Sequence, residues 1–100
     1  MIRVATPIEL DQIYMMGFDV WSDGLIKEDY LTTCRNSEKY KRGIWYVLED
    51  KCKLVCSLII YQFSENCFGI GSIATLPTMR KQGYAARLIE AVLKIKEEEI

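Results

Sequence analysis

The middle of the sequence holds three long segments that have the composition of β-strands and are joined by very short turns. They span Ile44–Glu49, Lys53–Phe63 and Cys67–Leu76 and are rich in Ile, Val, Tyr, Phe and Cys. The polar turns between them, at residues 49–51 and 64–66, are too short for a crossover. Because such turns join only antiparallel neighbours, we predict a three-stranded antiparallel meander.

Helical patterns and one weak strand precede this meander. Ile2–Ala5 alternates weakly between apolar and polar residues, which favours a short first strand. The segment Thr6-Pro7-Ile8-Glu9 has the pattern of a capping box with proline at the first helical position, so a helix is expected to begin there. A weaker helix is predicted over Lys27–Arg35, followed by a polar, irregular segment at Asn36–Gly43.

A strongly amphipathic helix is predicted from Gly83 onward. Its apolar stripe consists of Ala85, Leu88, Ile89, Val92, Leu93 and Ile95. The order is therefore strand, two helices, three strands and one helix, which indicates an α/β (α+β) domain. The 100 residues contain no linker and no repeat, so we expect residues 1–100 to form a single domain.

Composition argues against several classes of partner. Thirteen Lys and Arg residues against fourteen Asp and Glu give a net charge of −1, which disfavours nucleic-acid binding. The sequence has neither a signal-peptide pattern nor an apolar run of the roughly 20 residues that cross a bilayer. We therefore expect a cytoplasmic protein with no membrane partner.

The four cysteines, Cys34, Cys52, Cys56 and Cys67, are expected to be buried free thiols of a reducing compartment. Cys52 and Cys56 fall in an apolar stretch with strand character, where four residues would separate their side chains by roughly 13 Å. That separation is too large for a shared metal ion, and the sequence contains no histidine. We expect no metal site.

The segment Ile73–Leu88 has the features of an anion-binding site. A strand leads through a short polar loop into the start of a helix, where unpaired N–H groups and the helix dipole attract phosphates. Gly83 and Ala85 leave the main chain accessible, while Arg80 and Lys81 add positive charge. The pattern matches neither a Walker A loop nor a dinucleotide fingerprint.

The hexapeptide Arg80-Lys81-Gln82-Gly83-Tyr84-Ala85 resembles the Q/R-x-x-G-x-G/A signature of the GCN5-related N-acetyltransferase (GNAT) family. The resemblance is specific over Ile70–Lys96, and elsewhere it rests on the order of elements. It implies a GNAT-like mixed sheet with a cofactor-binding helix and acetyl-coenzyme A as acyl donor. By the same resemblance, Ile73, Ala74 and Thr75 would line the pantetheine arm, and Arg80, Lys81, Gln82, Gly83, Tyr84 and Ala85 would hold the pyrophosphate.

The reaction implied by the resemblance is acetyl transfer from acetyl-coenzyme A to a primary amine, whose identity the sequence leaves open. The catalytic base is unassigned because the predicted last strand carries no carboxylate. Ser72 or Thr75 could order a water molecule, although an ordinary strand hydroxyl explains each of them. Trp21 beside Asp23 could hold a cationic amine, whereas the alternative is that Trp21 is the last core residue of its helix.

The family fold continues beyond the helix that follows the signature. The resemblance therefore implies a truncated member, or one completed by another chain, for example as a homodimer through the open sheet edge. A catalytically incomplete module that binds acyl-coenzyme A is the alternative to an active N-acetyltransferase.

Overall fold

The computed structural model describes residues 1–99, which form one sheet and five α-helices. The strands are β1 (Ile2–Val4), β2 (Ile44–Asp50), β3 (Lys53–Ser64) and β4 (Cys67–Thr75). The helices are α1 (Leu10–Met16), α2 (Phe18–Trp21), α3 (Lys27–Arg35), α4 (Glu38–Arg42) and α5 (Tyr84–Glu98), with 3-10 turns at Pro7–Glu9 and Pro77–Met79. Ile100, the last residue of the predicted domain, lies outside the described residues.

The four strands form an antiparallel sheet in the order β1-β2-β3-β4. The predicted meander and the α/β fold class are confirmed. Within residues 1–99, β4 has a neighbour on one side only, so its outer edge is open.

The sheet is covered on both faces, which explains the nearly continuous apolar runs in β2 and β3. On one face, α1 and α3 pack over side chains that include Trp45, Val47 and Ile59. On the other face, Leu88 and Val92 of α5 pack against strand side chains. Those partners are Tyr46, Leu48, Val55, Cys56, Leu58 and Ile60.

The first helical region begins where the capping pattern predicts, and Glu9 secures it. Its carboxylate accepts a hydrogen bond from the Thr6 N–H at 2.9 Å and pairs with Arg3 at 2.8 Å. Arg3 also bonds Glu49 of β2, so the start of the helix is tied to the sheet. Pro7–Glu9 forms a 3-10 turn before the α-helix proper.

Two details differ from the predicted helices. The first helix is interrupted at Gly17, which separates α1 from the short α2. The segment predicted to be irregular contains α4, which begins after Ser37, whose hydroxyl accepts a hydrogen bond from the Tyr40 N–H at 3.2 Å. A local serine cap thus stabilises one turn that hydrophobic periodicity does not reveal.

The cysteines differ from the expectation of four buried thiols. Cys34 and Cys56 are buried, but Cys52 and Cys67 are exposed. Cys52 has φ of 63° and lies in the turn between β2 and β3, so the strand-like spacing expected between Cys52 and Cys56 does not apply. All four are free thiols.

Candidate functional site

A bulge in β4 shapes the strand segment that the sequence singles out. Ser57 pairs with Ala74 and Ile59 pairs with Gly71, so Ser72 and Ile73 lie opposite Leu58 alone. Ser72 takes up the extra length with φ of 45°, an unusual value for a residue with a side chain. The bulge changes the direction of the side chains in the second half of the strand.

The loop after β4 leads into α5 through two residues with positive φ. Lys81 has φ of 65° and Gly83 has φ of 82°, and Gly83 stands at the N-cap of α5. No side chain caps this helix, and the first bond of its opening turn runs from the Arg87 N–H to the Gly83 carbonyl at 3.1 Å. The N–H groups that precede Arg87 in the first turn are therefore available to an anion.

The other residues of the predicted loop have distinct positions. Lys81 and Gln82 are exposed, as is Gly83, and a β-carbon on Gly83 would meet no atom within 4 Å. Tyr84 is half-buried, and its hydroxyl donates to Asp50 at 3.3 Å. This contact ties the first residue of α5 to the end of β2.

An open pocket of about 360 Å³ lies beside this loop. One wall comes from β4 through Ile73, Ala74 and Thr75, and the opposite wall comes from the α1–α2 junction. The lining residues are Gly17, Val20, Trp21, Ile73, Ala74, Thr75, Arg80 and Ala85. The structure thus brings five of the nine predicted site residues to one pocket, and we call it the β4 pocket.

The Arg80 side chain is held by groups of the protein itself. Its guanidinium forms two hydrogen bonds with Asp19, at 2.7 and 2.9 Å. It also donates to the main-chain carbonyls of Thr75 at 3.1 Å and Met16 at 3.3 Å. The hydrogen bonds that Arg80 donates to Asp19 hold the pKa of the Asp19 carboxyl below its ordinary value, so Asp19 is ionised at neutral pH. The charge of Arg80 is therefore balanced within the site.

Three residues of the pocket region were missed by sequence reasoning: Gly17, Asp19 and Val20. Gly17 and Val20 line the pocket, and Asp19 pairs with Arg80. Their contacts connect residues far apart in the chain, so no local pattern could reveal them. Trp21, for which a core position is the simpler expectation, is 43% exposed and lines the pocket instead.

The two hydroxyl groups in the second half of β4 bond to opposite faces of the sheet, Ser72 toward α1 and α3 and Thr75 toward α5. The Ser72 hydroxyl donates to the Tyr40 hydroxyl at 3.4 Å, and the Thr75 hydroxyl donates to the Cys56 sulfur at 3.3 Å. Both therefore have the local hydrogen bonds expected of ordinary strand hydroxyls. The Tyr61 hydroxyl is buried without a protein partner among residues 1–99, and burial raises its pKa.

Tyr40 and its aromatic neighbours pack in the core. Tyr40 stacks on Tyr14 with ring centroids 5.7 Å apart and meets Trp45 edge-on at 5.2 Å. Tyr30 and Tyr46 are each 5% exposed. These rings stabilise the core and do not line the β4 pocket.

The β4 pocket contains no carboxylate and no histidine among its lining residues. Within residues 1–99, no three Cys, Asp or Glu side chains come together in a way that could hold a metal ion. None of the helices in that range is long and apolar enough to cross a bilayer. The chemistry available at the pocket is therefore that of main-chain groups, hydroxyls and an ion pair.

The site of this α/β domain thus combines a strand with a bulge, a helix N-terminus with free N–H groups and a mostly apolar pocket between them. The sequence profile of the acetyltransferase (GNAT) family matches residues 8–99. The chain belongs to this family, which confirms the resemblance seen in the loop.

Several solved structures with the same fold are described as N-acetyltransferases. An aminoglycoside 6'-N-acetyltransferase complexed with coenzyme A aligns with 99% of this chain at 16% identity and a TM-score of 0.71. The ribosomal-protein-S18-alanine N-acetyltransferase from Escherichia coli aligns with 98% at 16% identity and a TM-score of 0.72. N-acetylglutamate synthase from Neisseria gonorrhoeae, complexed with coenzyme A and N-acetyl-glutamate, aligns with 99% at 19% identity and a TM-score of 0.72.

These likenesses establish a common fold. The chain spans 56%, 59% and 23% of the three solved chains, respectively. Among proteins with curated descriptions, none matches the sequence.

Proposed function

We propose that this chain provides the acetyl-coenzyme A site of an N-acetyltransferase that acts on a primary amine. The observation that carries the proposal is the β4 pocket, which runs along Ile73, Ala74 and Thr75 toward the open N-terminus of α5. A ligand with a neutral arm and a pyrophosphate has matching chemistry along this path. Membership of the GNAT family and the coenzyme A complexes of proteins with this fold support the same ligand.

In this proposal the pantetheine arm lies along the open edge of β4, where main-chain groups have no neighbouring strand within residues 1–99. The pyrophosphate meets the segment from Arg80 to Ala85. Main-chain N–H groups at the start of α5 donate to it, and the exposed Lys81 side chain adds positive charge. No metal is required for this mode of binding.

The proposed reaction is the direct attack of a neutral amine on the thioester carbonyl of acetyl-coenzyme A. The amine nitrogen bonds to the carbonyl carbon, the carbon–sulfur bond breaks with its electron pair leaving on sulfur, and the proton lost by the amine passes through a base or solvent to the thiolate. An acetylated amine and coenzyme A are the products.

A second candidate function is an acyl-coenzyme A binding module without turnover. It is favoured by the lining of the β4 pocket, which has no carboxylate or histidine to serve as a base. Asp19, the acidic residue nearest in the hydrogen-bond network, is already paired with Arg80. This candidate predicts binding of acetyl-coenzyme A and no release of free coenzyme A with any amine.

We also propose that residues 1–100 act as one domain that pairs with a second copy through the part of β4 that precedes the bulge, so that Ile73, Ala74 and Thr75 stay available to the pantetheine arm. An unpaired edge strand offers a row of N–H and C=O groups to another strand. Sedimentation equilibrium would give twice the chain mass of 11.6 kDa if the proposal holds. A monomer at all concentrations would contradict it.

Acetyl-coenzyme A binding is tested by thermal unfolding of the parent chain, Gly83→Glu and Gly24→Glu. The two glycines are matched, since both have φ of 82° and a β-carbon added to either one would meet no atom within 4 Å. A ligand present at 100 times its Kd raises the free energy of unfolding of the protein by about 2.7 kcal/mol. We expect this stabilisation in the parent and in Gly24→Glu and its loss in Gly83→Glu, whose carboxylate repels the pyrophosphate.

Equal stabilisation of both glycine variants would contradict the phosphate site, and no stabilisation of the parent would contradict acetyl-coenzyme A binding. Turnover is then measured as free coenzyme A released with a panel of primary amines. Release with one amine class supports the enzyme, and binding without release supports the module.

A further inference from the structure

The Arg80 side chain joins three elements that meet at the β4 pocket. Its contacts reach Asp19 on α2, the Met16 carbonyl at the end of α1 and the Thr75 carbonyl at the end of β4. A guanidinium has five N–H donors. The four hydrogen bonds to these groups therefore leave a single N–H without a protein partner among residues 1–99.

The contact with Met16 gives a hydrogen-bond donor to a carbonyl at the end of α1. The last carbonyls of a helix lack helical N–H partners. Gly17 interrupts the helix directly after Met16, and the next N–H groups, of Val20 and Trp21, bond the Gly17 carbonyl instead. Arg80 thus caps the end of α1, and it does so from the opposite side of the pocket.

The short helix α2 needs such an attachment. Its four residues include no buried residue, and Val20 and Trp21 are 64% and 43% exposed. Phe18 packs edge-on against Tyr30 of α3, with ring centroids 5.2 Å apart. This contact joins α2 to another helix and not to β4. The ion pair between Asp19 and Arg80 joins α2 to the β4 wall of the pocket.

We propose that Asp19 and Arg80 are positioning residues, a clamp that fixes the Trp21 wall of the β4 pocket against β4, and that Arg80 is not a phosphate ligand. The guanidinium holds the two walls at the spacing that the ligand arm requires. The positive charge for the phosphates then comes from Lys81 and the main-chain N–H groups of α5. This inference rests on the proposed acetyl-coenzyme A site and assigns a different role to one of its residues.

The two roles of Arg80 predict opposite effects of Asp19→Asn. If Arg80 binds phosphate, loss of the competing carboxylate frees its charge, and acetyl-coenzyme A binds more tightly. If Arg80 is a clamp, the same variant loosens the pocket, and the ligand binds more weakly. The sign of the change in Kd therefore separates the two roles.

Truncation of the ligand gives a second distinction. S-acetylpantetheine has the thioester and the arm but lacks the pyrophosphate and the nucleoside. A clamp supports the arm, so Asp19→Asn and Arg80→Gln are each expected to weaken both ligands by the same factor, about three- to tenfold. The double variant is expected to match the single ones, because either change opens the clamp.

The control is Asp11→Asn, which breaks a similar ion pair elsewhere. Two guanidinium nitrogens of Arg35 donate hydrogen bonds to the Asp11 carboxylate, and the bond from Nε is 3.0 Å long. Neither residue lines the β4 pocket. This variant is expected to leave both Kd values unchanged. A gain in acetyl-coenzyme A affinity in Asp19→Asn, or a loss in Arg80→Gln confined to acetyl-coenzyme A, would overturn the clamp.

Hydrogen exchange tests the clamp without any ligand and so separates its failure from failure of the proposed function. The Val20 and Trp21 amides bond the Gly17 carbonyl at 3.1 and 2.8 Å. In Asp19→Asn they are expected to exchange about tenfold faster than in the parent or in Asp11→Asn. Unchanged exchange at both amides would overturn the clamp, whereas a parent chain that binds neither ligand would overturn the acetyl-coenzyme A site alone.

Discussion

The indole ring of Trp21 lies against the main chain of Gly17, so that a β-carbon at position 17 would come within 2.1 Å of the ring. The φ of Gly17 is −102°, which other residues readily adopt, so the constraint is space and not backbone conformation. Glycine at this position allows Trp21 to form a wall of the β4 pocket.

Gly17→Ala is therefore expected to push Trp21 out of the wall. Overpacking of this kind costs about 1–3 kcal/mol. Urea unfolding would measure the loss, and a red shift of the tryptophan emission would report the greater exposure of the ring. The double variant Gly17→Ala/Trp21→Ala should be as stable as Trp21→Ala, and a further loss in the double variant would show that the alanine clashes with something else.

Acid stability should depend on Glu9. Hydrogen bonds from Arg3, and next from the Thr6 N–H, lower the pKa of Glu9 from 4.5 to about 2. A lowered pKa in the folded state contributes stability above the unfolded pKa, and this contribution is lost as pH falls from about 4.5 toward 2. Glu9→Gln should flatten the fall in the free energy of unfolding over this range. Denaturant titrations at several pH values test this, and equal slopes would contradict it.

The packing of α5 on the sheet is expected to dominate stability. Leu88 is 0% exposed and packs against side chains of β2 and β3, while Leu93 on the same helix is 44% exposed. Leu88→Ala should lower the free energy of unfolding by about 3 kcal/mol. Leu93→Ala is the control and should cost less than about 1 kcal/mol. Similar losses in both variants would mean that α5 packs on the sheet in a different orientation.

Thiol reactivity should divide the cysteines into two pairs. Cys52 and Cys67 are exposed and should react rapidly with a disulfide reagent in the native protein. Cys34 and Cys56 are buried, and burial raises the pKa of both thiols, so they should react only after unfolding. Counting the thiols modified before and after denaturant is added tests this division. Four rapid reactions would contradict it, and Cys52→Ser/Cys67→Ser should show none.

Much of the fold follows from local sequence patterns. The helix Lys27–Arg35 has the bounds that its pattern predicts, and the three main strands differ from their predicted bounds by one residue at one end each. Alternation, turn residues and the apolar stripe of α5 act within a few residues, so the sequence alone determines them. The loop Arg80–Ala85 was singled out by its resemblance to the family signature, which could be seen in the sequence because the signature is a continuous run of residues.

Only the tertiary structure decided how the pocket is built. The ion pair of Asp19 with Arg80 joins residues 61 positions apart, and the Trp21 wall depends on the space above Gly17. No local period encodes either contact. The sequence shows a positive charge at Arg80, but only the fold shows that a carboxylate and two carbonyls surround it. Hydrogen-bond partners are determined by proximity in space and not by proximity along the chain.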